Sequence, residues 1–338
     1  LNIKRMKWIL SFMLADAIGL IPENITIAHG DVDGMASAAI VKRARGDSYV
    51  VFSGPRSVSK MLGMIRRKHK IFIVDVAINP SALSEITRKL KRLKEKGSEI
   101  TWIDHHPWTK EAIETIGRYA EIHVKEEKSA ARLVMEILNP EDEVSRKIAE
   151  IADDADTAEY SMEISRLYRA GSRGSKLRKR IVDLMAEGKF MDEELEEKLK
   201  NSMEKEGKSR TEVNYQFLTT FSGKKFVLID LRPSGGPGSV IAKELCLKED
   251  FDFALVIFSC EKFSLYRCKG SENLSKVCEE YEGGGHPYAC GGRIKMPFYR
   301  KILCKILGKG YRPPEIDELI ERVRKLNEEA SSDNNDKC

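Results

Sequence analysis

From Ile25 to about Val124, short and almost wholly apolar runs alternate with amphipathic stretches. The runs ITIA (25–28), SYVVFS (48–53), KIFIVDVA (70–77), SEITWIDHH (98–106) and AEIHV (120–124) predict strands. Periodic segments over 35–45 and 83–97 predict helices between them, and further helices are expected near 129–138 and 143–160. Strands that are apolar throughout, spaced by helices, imply a parallel sheet covered on both faces. Residues 161–222 change character. MDEELEEKLKNSMEKEGK (191–208) sets opposite charges at helical spacing, as a solvated helix does, and strand signal is nearly absent. A second α/β unit begins with KKFVLIDL (224–231) and continues through FDFALVIFS (251–259), KFSLYRCK (262–269) and EGGGHPYACGGRIKM (282–296). The expected division is therefore an α/β domain over 1–160 with an N-terminal helix, a helical linker over 161–222, a smaller α/β domain over 223–325, and a polar, disordered tail over 326–338.

The N-terminus departs from this alternation. Lys4, Arg5 and Lys7 precede the apolar run WILSFMLADAIGLIP, which resembles a signal peptide, but Asp16 interrupts it and its length is too short to span a membrane. Leu10, Met13, Leu14, Ala17 and Ile18 instead fit the inward face of an amphipathic helix ending near Gly19 and Pro22. A cytoplasmic protein with no membrane partner is expected.

Composition sets wide bounds. A chain of 338 residues is comfortable for two domains, and 41% hydrophobic content fills real cores. Lys and Arg (58) barely exceed Asp and Glu (53), so the net charge of +5 permits an anionic substrate without demanding one. All seven cysteines fall at or after Cys246 with no C-x-x-C pair, which argues against a zinc site. Buried thiols are the favoured reading, ahead of one or two disulfides.

Four acidic or histidine-bearing elements change the picture more. His29-Gly30-Asp31-Val32-Asp33-Gly34 follows the first predicted strand, Asp75 follows the third, and Asp104-His105-His106 ends the fourth. IADDADT (151–157) lies on a predicted helix and carries Asp153, Asp154 and Asp156. One aspartate after a strand is usually a turn or capping residue. Several in adjacent parallel strands share a crevice, because ligands bind where the carboxyl ends of such strands converge. Hard carboxylates with a few imidazoles suit a pair of Mn²⁺-type ions, which activate water and stabilise the oxygen displaced in phosphoester hydrolysis. In an extended H-x-D-x-D segment the three side chains fall on one side. Gly34 then allows a tight turn into a helix.

These motifs, in this order, resemble those of the DHH phosphoesterase family, and the resemblance extends over nearly the whole chain. GGGHPYACGG (283–292) is similar to the signature of that family's DHH-associated C-terminal domain. The resemblance implies one ion held by His29, Asp31 and Asp75, and another held by Asp33, Asp75, His105 and an aspartate of the last motif. Asp153 is the expected ligand there, although Asp154 and Asp156 fit other registers. Asp75 would bridge, Asp104 would orient its neighbours, and His106 would face the substrate phosphate. Two Mn²⁺ ions are the expected cofactors, with Mg²⁺ or Co²⁺ as substitutes.

In the second domain, Gly283, Gly284 and Gly285 allow backbone N–H groups to approach an anion closely, helped by a following helix or nest. His286 adds a side-chain donor, and Arg267, ending a predicted strand, offers a phosphate fork. SGGPGS (234–239) is a weaker cluster, expected to turn the chain into a helix. The expected arrangement puts the scissile phosphate on the metals and a more distal group on the glycine-rich motif, with a cleft between the two domains. The favoured substrates are short single-stranded oligonucleotides or related phosphorylated nucleotides, and a homodimer is allowed. A RecJ-like processive single-strand exonuclease is the main rival, but a long strand rewards an extended stacking groove and aromatics make up only 7% of the chain. A non-enzymatic rival is an inactive DHH-type scaffold of a replication complex, which would have lost metal ligands.

Overall fold

A computed structural model describes residues 3–172, 174–210, 213–232, 236 and 238–326. The chain divides into two compact units, Leu1–Met203 and Glu204–Cys338. The first opens with helix α1 (Ile3–Ala17) and builds strands β1 (Asn24–Ala28), β2 (Ser48–Phe52), β3 (Lys70–Val74), β4 (Glu99–Asp104) and β5 (Glu121–Val124). They pair in parallel in the order β2-β1-β3-β4-β5. Helices α2 (Val32–Arg45), α3 (Val58–Met64), α4 (Leu83–Glu95) and α5 (Lys110–Ile116) connect the strands, and α6 (Ala130–Leu138) and α7 (Glu143–Asp156) follow.

The absence of polar alternation in the strands has a direct cause. Successive side chains of a strand point to opposite faces. In β3, Ile71 and Ile73 enter one buried cluster, while Phe72 and Val74 enter another. Both faces are covered, so both sets are apolar. The parallel sheet read from the sequence is the sheet observed.

Two expectations are corrected in this unit. Residues 161–203 are not a linker. Helices α8 (Glu163–Gly171), α9 (Ser175–Ala186) and α10 (Glu193–Arg210) follow α7, and Leu167, Tyr168, Ile181, Met185, Leu195 and Leu199 bury themselves in the same core as α2 and α6. The opposite charges describe only the outer faces of these helices. A sparser apolar stripe, such as Leu195 and Leu199 at a spacing of four, turns inward. The second correction concerns α1. Leu10, Leu14 and Ile18 are about 60% exposed, whereas Phe12 is buried and Ile9 and Met13 pack beside it. The buried Asp16 sets this face: it accepts from Arg66 N at 2.6 Å and lies 2.8 Å from His69 Nε2. An interruption in an apolar run is thus the anchor of the helix.

The second unit holds β6 (Asn214–Thr219), β7 (Lys225–Asp230), α11 (Gly238–Lys248), β8 (Phe253–Ser259), β9 (Lys262–Arg267), α12 (Ser275–Glu280), β10 (Gly284–His286), β11 (Ala289–Arg293), α13 (Phe298–Leu307) and α14 (Pro314–Arg324). Its sheet runs β10-β11-β9-β8-β7-β6, with β7 and β8 parallel and the other neighbours antiparallel. Strand β6 falls in the segment expected to lack strands. It is an exposed edge, so it carries no continuous apolar run. Cysteine chemistry also departs from expectation: three disulfides, Cys246–Cys268, Cys260–Cys304 and Cys278–Cys290, replace the buried thiols. Half of SGGPGS (Ser234, Gly235 and Pro237) and nearly all of the polar tail lie outside the described residues. Among the described residues, no helix is long and apolar enough to cross a membrane.

Candidate metal centre

Strands β1, β3 and β4 are neighbours, and the chemistry stands at their carboxyl ends. His29 follows β1, Asp75 follows β3, and Asp104 is the last residue of β4. The segment from His29 does not remain extended, as the H-x-D-x-D argument assumed. Asp31 is the N-cap of α2, accepting from Gly34 N at 3.0 Å, and Asp33 projects from the first helical turn. Gly34 makes this turn possible, since a Cβ there would lie 2.3 Å from the His29 carbonyl oxygen.

Asp75 occupies the centre. His29, Asp31 and Asp75 each present a ligand atom, all within 4.8 Å of one another, and so do Asp33, Asp75 and His105. Asp75 is 3% exposed and adopts a φ of 55°, a left-handed conformation seldom taken by residues other than glycine. Strain of this kind persists only where the surroundings over-determine it, and it concentrates at functional sites.

Second contacts fix the imidazoles. His105 Nδ1 faces the Glu127 carbonyl oxygen at 3.1 Å and so carries the proton, which directs the Nε2 lone pair into the cluster. That Nε2 lies 3.6 Å from Asp33 Oδ2, 3.7 Å from Asp75 Oδ1 and 3.6 Å from Asp156 Oδ2. His106 Nδ1 pairs with Asp104 Oδ1 at 2.8 Å, and Asp104 Oδ2 accepts from Trp108 Nε1 at 2.7 Å. Asp104 thus ties the His106 imidazole to the Trp108 indole. Asp33 accepts from the N–H groups of Ala130 and Ala131 at the start of α6, so one carboxylate both caps a helix and lines the site.

The last motif needs a correction. Asp153 is committed elsewhere: it accepts from Ser129 Oγ at 2.6 Å and from Arg132 Nε at 2.8 Å. Asp154 accepts from Ser161 N, Ser161 Oγ and Met162 N and fastens the turn into α8. Asp156, at the end of α7, reaches the cluster. The sequence offered three acids in four positions. Their partners, Arg132, Ser129, Ser161 and Ser165, are not singled out by any spacing in the sequence.

Electrostatics match a site built for cations. Burial pushes the Asp33 carboxyl up to about 6, against the pull of His105. Burial, reinforced by Asp33, Asp31, Asp156 and Asp104, raises Asp75 well above the ordinary carboxylate range. Asp156 is raised as well, by burial and then by Asp33 and Asp31. Asp31 pushes the His29 imidazole up to about 9. Among the described residues, the buried Oδ2 atoms of Asp75 and Asp156 accept no hydrogen bond. His29 Nδ1 and Asp31 Oδ2 pair directly at 2.5 Å, but His105 Nε2 stands 3.6 to 3.7 Å from three carboxylate oxygens, too far to bond them. Crowded carboxylates with unsatisfied oxygens around such gaps are what a pair of divalent ions would complete.

In the second unit, Gly284–His286 form an edge strand that turns into a hairpin with β11, with Gly283 just before it, so no helix directly follows the glycines. A Cβ at Gly283 would lie 1.9 Å from the Gly291 carbonyl oxygen, and Gly285 has a φ of +134°, so tight hairpin packing already requires both glycines. Gly284 faces open space. Tyr288, absent from the sequence-based set, links the expected pair. Its ring stacks on His286 at 5.0 Å, and the Arg267 guanidinium lies 5.9 Å from its centre.

Residues 24–188 match the family model described as DHH family, N-terminal domain. The first unit therefore carries the N-terminal domain of the DHH family, whose enzymes are metal-dependent phosphoesterases. An exopolyphosphatase-related protein from Bacteroides fragilis superposes with a TM-score of 0.50 at 15% identity, over 90% of this chain and 93% of that one. A pGpG-specific phosphodiesterase from Vibrio cholerae gives 0.49 at 14% identity, over 84% and 97%. At such identities the likeness is one of fold. No curated protein matches the sequence.

Proposed function

We propose that this chain is a two-metal, Mn²⁺-type phosphoesterase that hydrolyses phosphodiester bonds in short single-stranded oligonucleotides or related phosphorylated nucleotides. The observation that carries the reading is Asp75: buried, strained, and common to three sets of ligand atoms, two of which are the proposed ion sites. His29, Asp31 and Asp75 would hold one ion, and Asp33, Asp75, His105 and Asp156 the other. When bound, such a pair supplies an activated water and neutralises charge on the phosphoryl oxygens. The protein does the rest. Asp104 holds His106 by Nδ1, so that Nε2 can address a substrate phosphate. Oxygen and imidazole donors, with no thiolate among them, favour Mn²⁺ over zinc. Arg267, Tyr288 and His286 in the second unit would hold a more distal phosphate or base, by charge and by stacking.

Completeness of the ligand set speaks against an inactive scaffold. The test combines metal titration with a length ladder. Chelator-stripped protein should bind two Mn²⁺ per chain and regain phosphodiesterase activity. On labelled DNA and RNA, alongside cyclic dinucleotides and 3′-phosphoadenosine 5′-phosphate, kcat/KM should peak at about two to five nucleotides, because an extended stacking groove is what rewards greater length. Rates that climb steadily with length, with processive products, would transfer the chain to the RecJ-like reading. Full metal uptake without turnover of any substrate would favour the scaffold.

A further inference from the structure

Helix α9, in the stretch that reads as linker, sends one side chain to the metal centre. Arg178 is half-buried and donates through Nε to the Ser172 carbonyl oxygen. Its guanidinium lies 5.3 Å from the centre of the Phe52 ring, at the carboxyl end of β2, next to β1. No described hydrogen bond uses its two terminal nitrogens. The guanidinium presses against the backbone between two of the proposed ligands. A Cβ on Gly30 would lie 2.7 Å from Arg178 Nη1 and 3.1 Å from Cζ, and the three nearest atoms all belong to this guanidinium. Gly30 has no positive φ, and a side chain there would have to displace the Arg178 guanidinium.

Burial pulls the Arg178 guanidinium below its usual pKa, and the nearby Asp31 carboxylate works the other way. Asp31 makes no hydrogen bond to it among the described residues, which leaves a partly desolvated cation beside the centre with its fork unspent. A guanidinium fork matches the oxygens of a phosphoryl group, and in partly desolvated surroundings that attraction is screened little by water. We infer that Arg178 is a substrate-contacting residue, binding a non-bridging oxygen of the phosphoryl group on the His29/Asp31 side of the centre. The inference rests on the phosphoesterase reading above and adds to it a cation that the family motifs in this sequence do not include.

The test uses the full chain, Mn²⁺ and inorganic phosphate. In Arg178→Gln, calorimetric titration of stripped protein should still find two Mn²⁺ per chain. Binding of inorganic phosphate to the Mn²⁺-saturated protein should weaken roughly 10- to 100-fold, as expected for loss of a charged hydrogen-bonding partner. Arg178→Lys should recover part of that loss, and kcat/KM on bis(p-nitrophenyl) phosphate should follow the same order. Gly30→Ala removes no ionisable group, yet its Cβ displaces the guanidinium, so it should weaken phosphate binding in the same direction. Added to Arg178→Gln, it should cause little further loss. Phosphate binding at wild-type strength in folded Arg178→Gln and Gly30→Ala overturns the proposal alone, as does a loss confined to Mn²⁺ affinity or melting temperature. Wild-type protein that takes up no Mn²⁺ overturns the metal-centre reading, and this proposal with it.

Discussion

Asp153 and Asp156 lie at the end of α7, and the partners awaiting each decide its role. Asp153 neutralises Arg132 in a site where neither side chain is more than 25% exposed. Removing it strands a guanidinium, so Asp153→Ala should lower stability by roughly 2 kcal/mol, part of the penalty for breaking a buried pair, while folded protein still binds two Mn²⁺. Asp156→Ala should do the reverse: it removes one Mn²⁺ from the titration and leaves the metal-free protein no less stable. Loss of one Mn²⁺ in Asp153→Ala, with both retained in Asp156→Ala, would return the last motif to the sequence-based choice. Asp75 makes a different point. Its folded pKa is raised above the ordinary 3.8, so folded metal-free protein retains a proton that the unfolded chain releases. Stability from this group is therefore present below about pH 4 and lost as pH climbs through the raised value. Asp75→Asn keeps the shape, suits the left-handed backbone, and removes the charge. Thermal melts of metal-free protein from pH 5 to 8 should show a shallower decline in the variant and greater stability at pH 7, on the order of 1 kcal/mol. Mn²⁺ should then stabilise the variant far less than the wild type. A variant whose melting curves parallel the wild type at every pH would mean that Asp75 is not held among like charges.

At the scale of elements, legibility followed the kind of burial. Strands β1 to β5 were readable to within three residues at either end because apolar residues dominate them, and in β1 and β3 nearly every position is buried. The motif residues were readable for the same reason: a polar run directly after such a strand marks its carboxyl end. Three features were not. Helix α10 exposes most of its described residues, and the charges of α8 and α9 mask the apolar residues they bury, so charge dominates the sequence of all three. Helix α1 packs through Phe12 and a buried Asp16, whose partner His69 stands 53 positions away, a pairing that no local periodicity contains. Arg178 belongs to both failures, being a charged residue in a charged segment whose importance appears only when Gly30 is brought against it. Gly30 itself was the available signal, a glycine between two ligands in a stretch that does not need its positive φ.

At the scale of the whole molecule, the two units are secured by different means. The first has two large apolar clusters on either face of a parallel sheet and a centre poised for cations. The second is smaller and carries three disulfides, closing separations of 22, 44 and 12 residues. Cross-links of such lengths each contribute about 3 to 4 kcal/mol by restricting the unfolded chain. The Cys278–Cys290 bridge ties α12 to β11, and with it the hairpin carrying Gly283–His286 and Tyr288. Reduction should therefore act on one unit only. Calorimetric scans in Mn²⁺ should resolve a transition that rises with metal concentration and another that does not. Thiol reductant should lower the metal-insensitive transition steeply and leave the metal-sensitive one within a few degrees of its oxidised position. Activity on a small generic phosphodiester should survive reduction, because its hydrolysis needs only the first unit's centre, while activity on oligonucleotides should fall as the hairpin loosens. If reductant instead moves the metal-sensitive transition, or spares oligonucleotide turnover entirely, the disulfides do not hold the substrate-gripping surface and its proposed role falls.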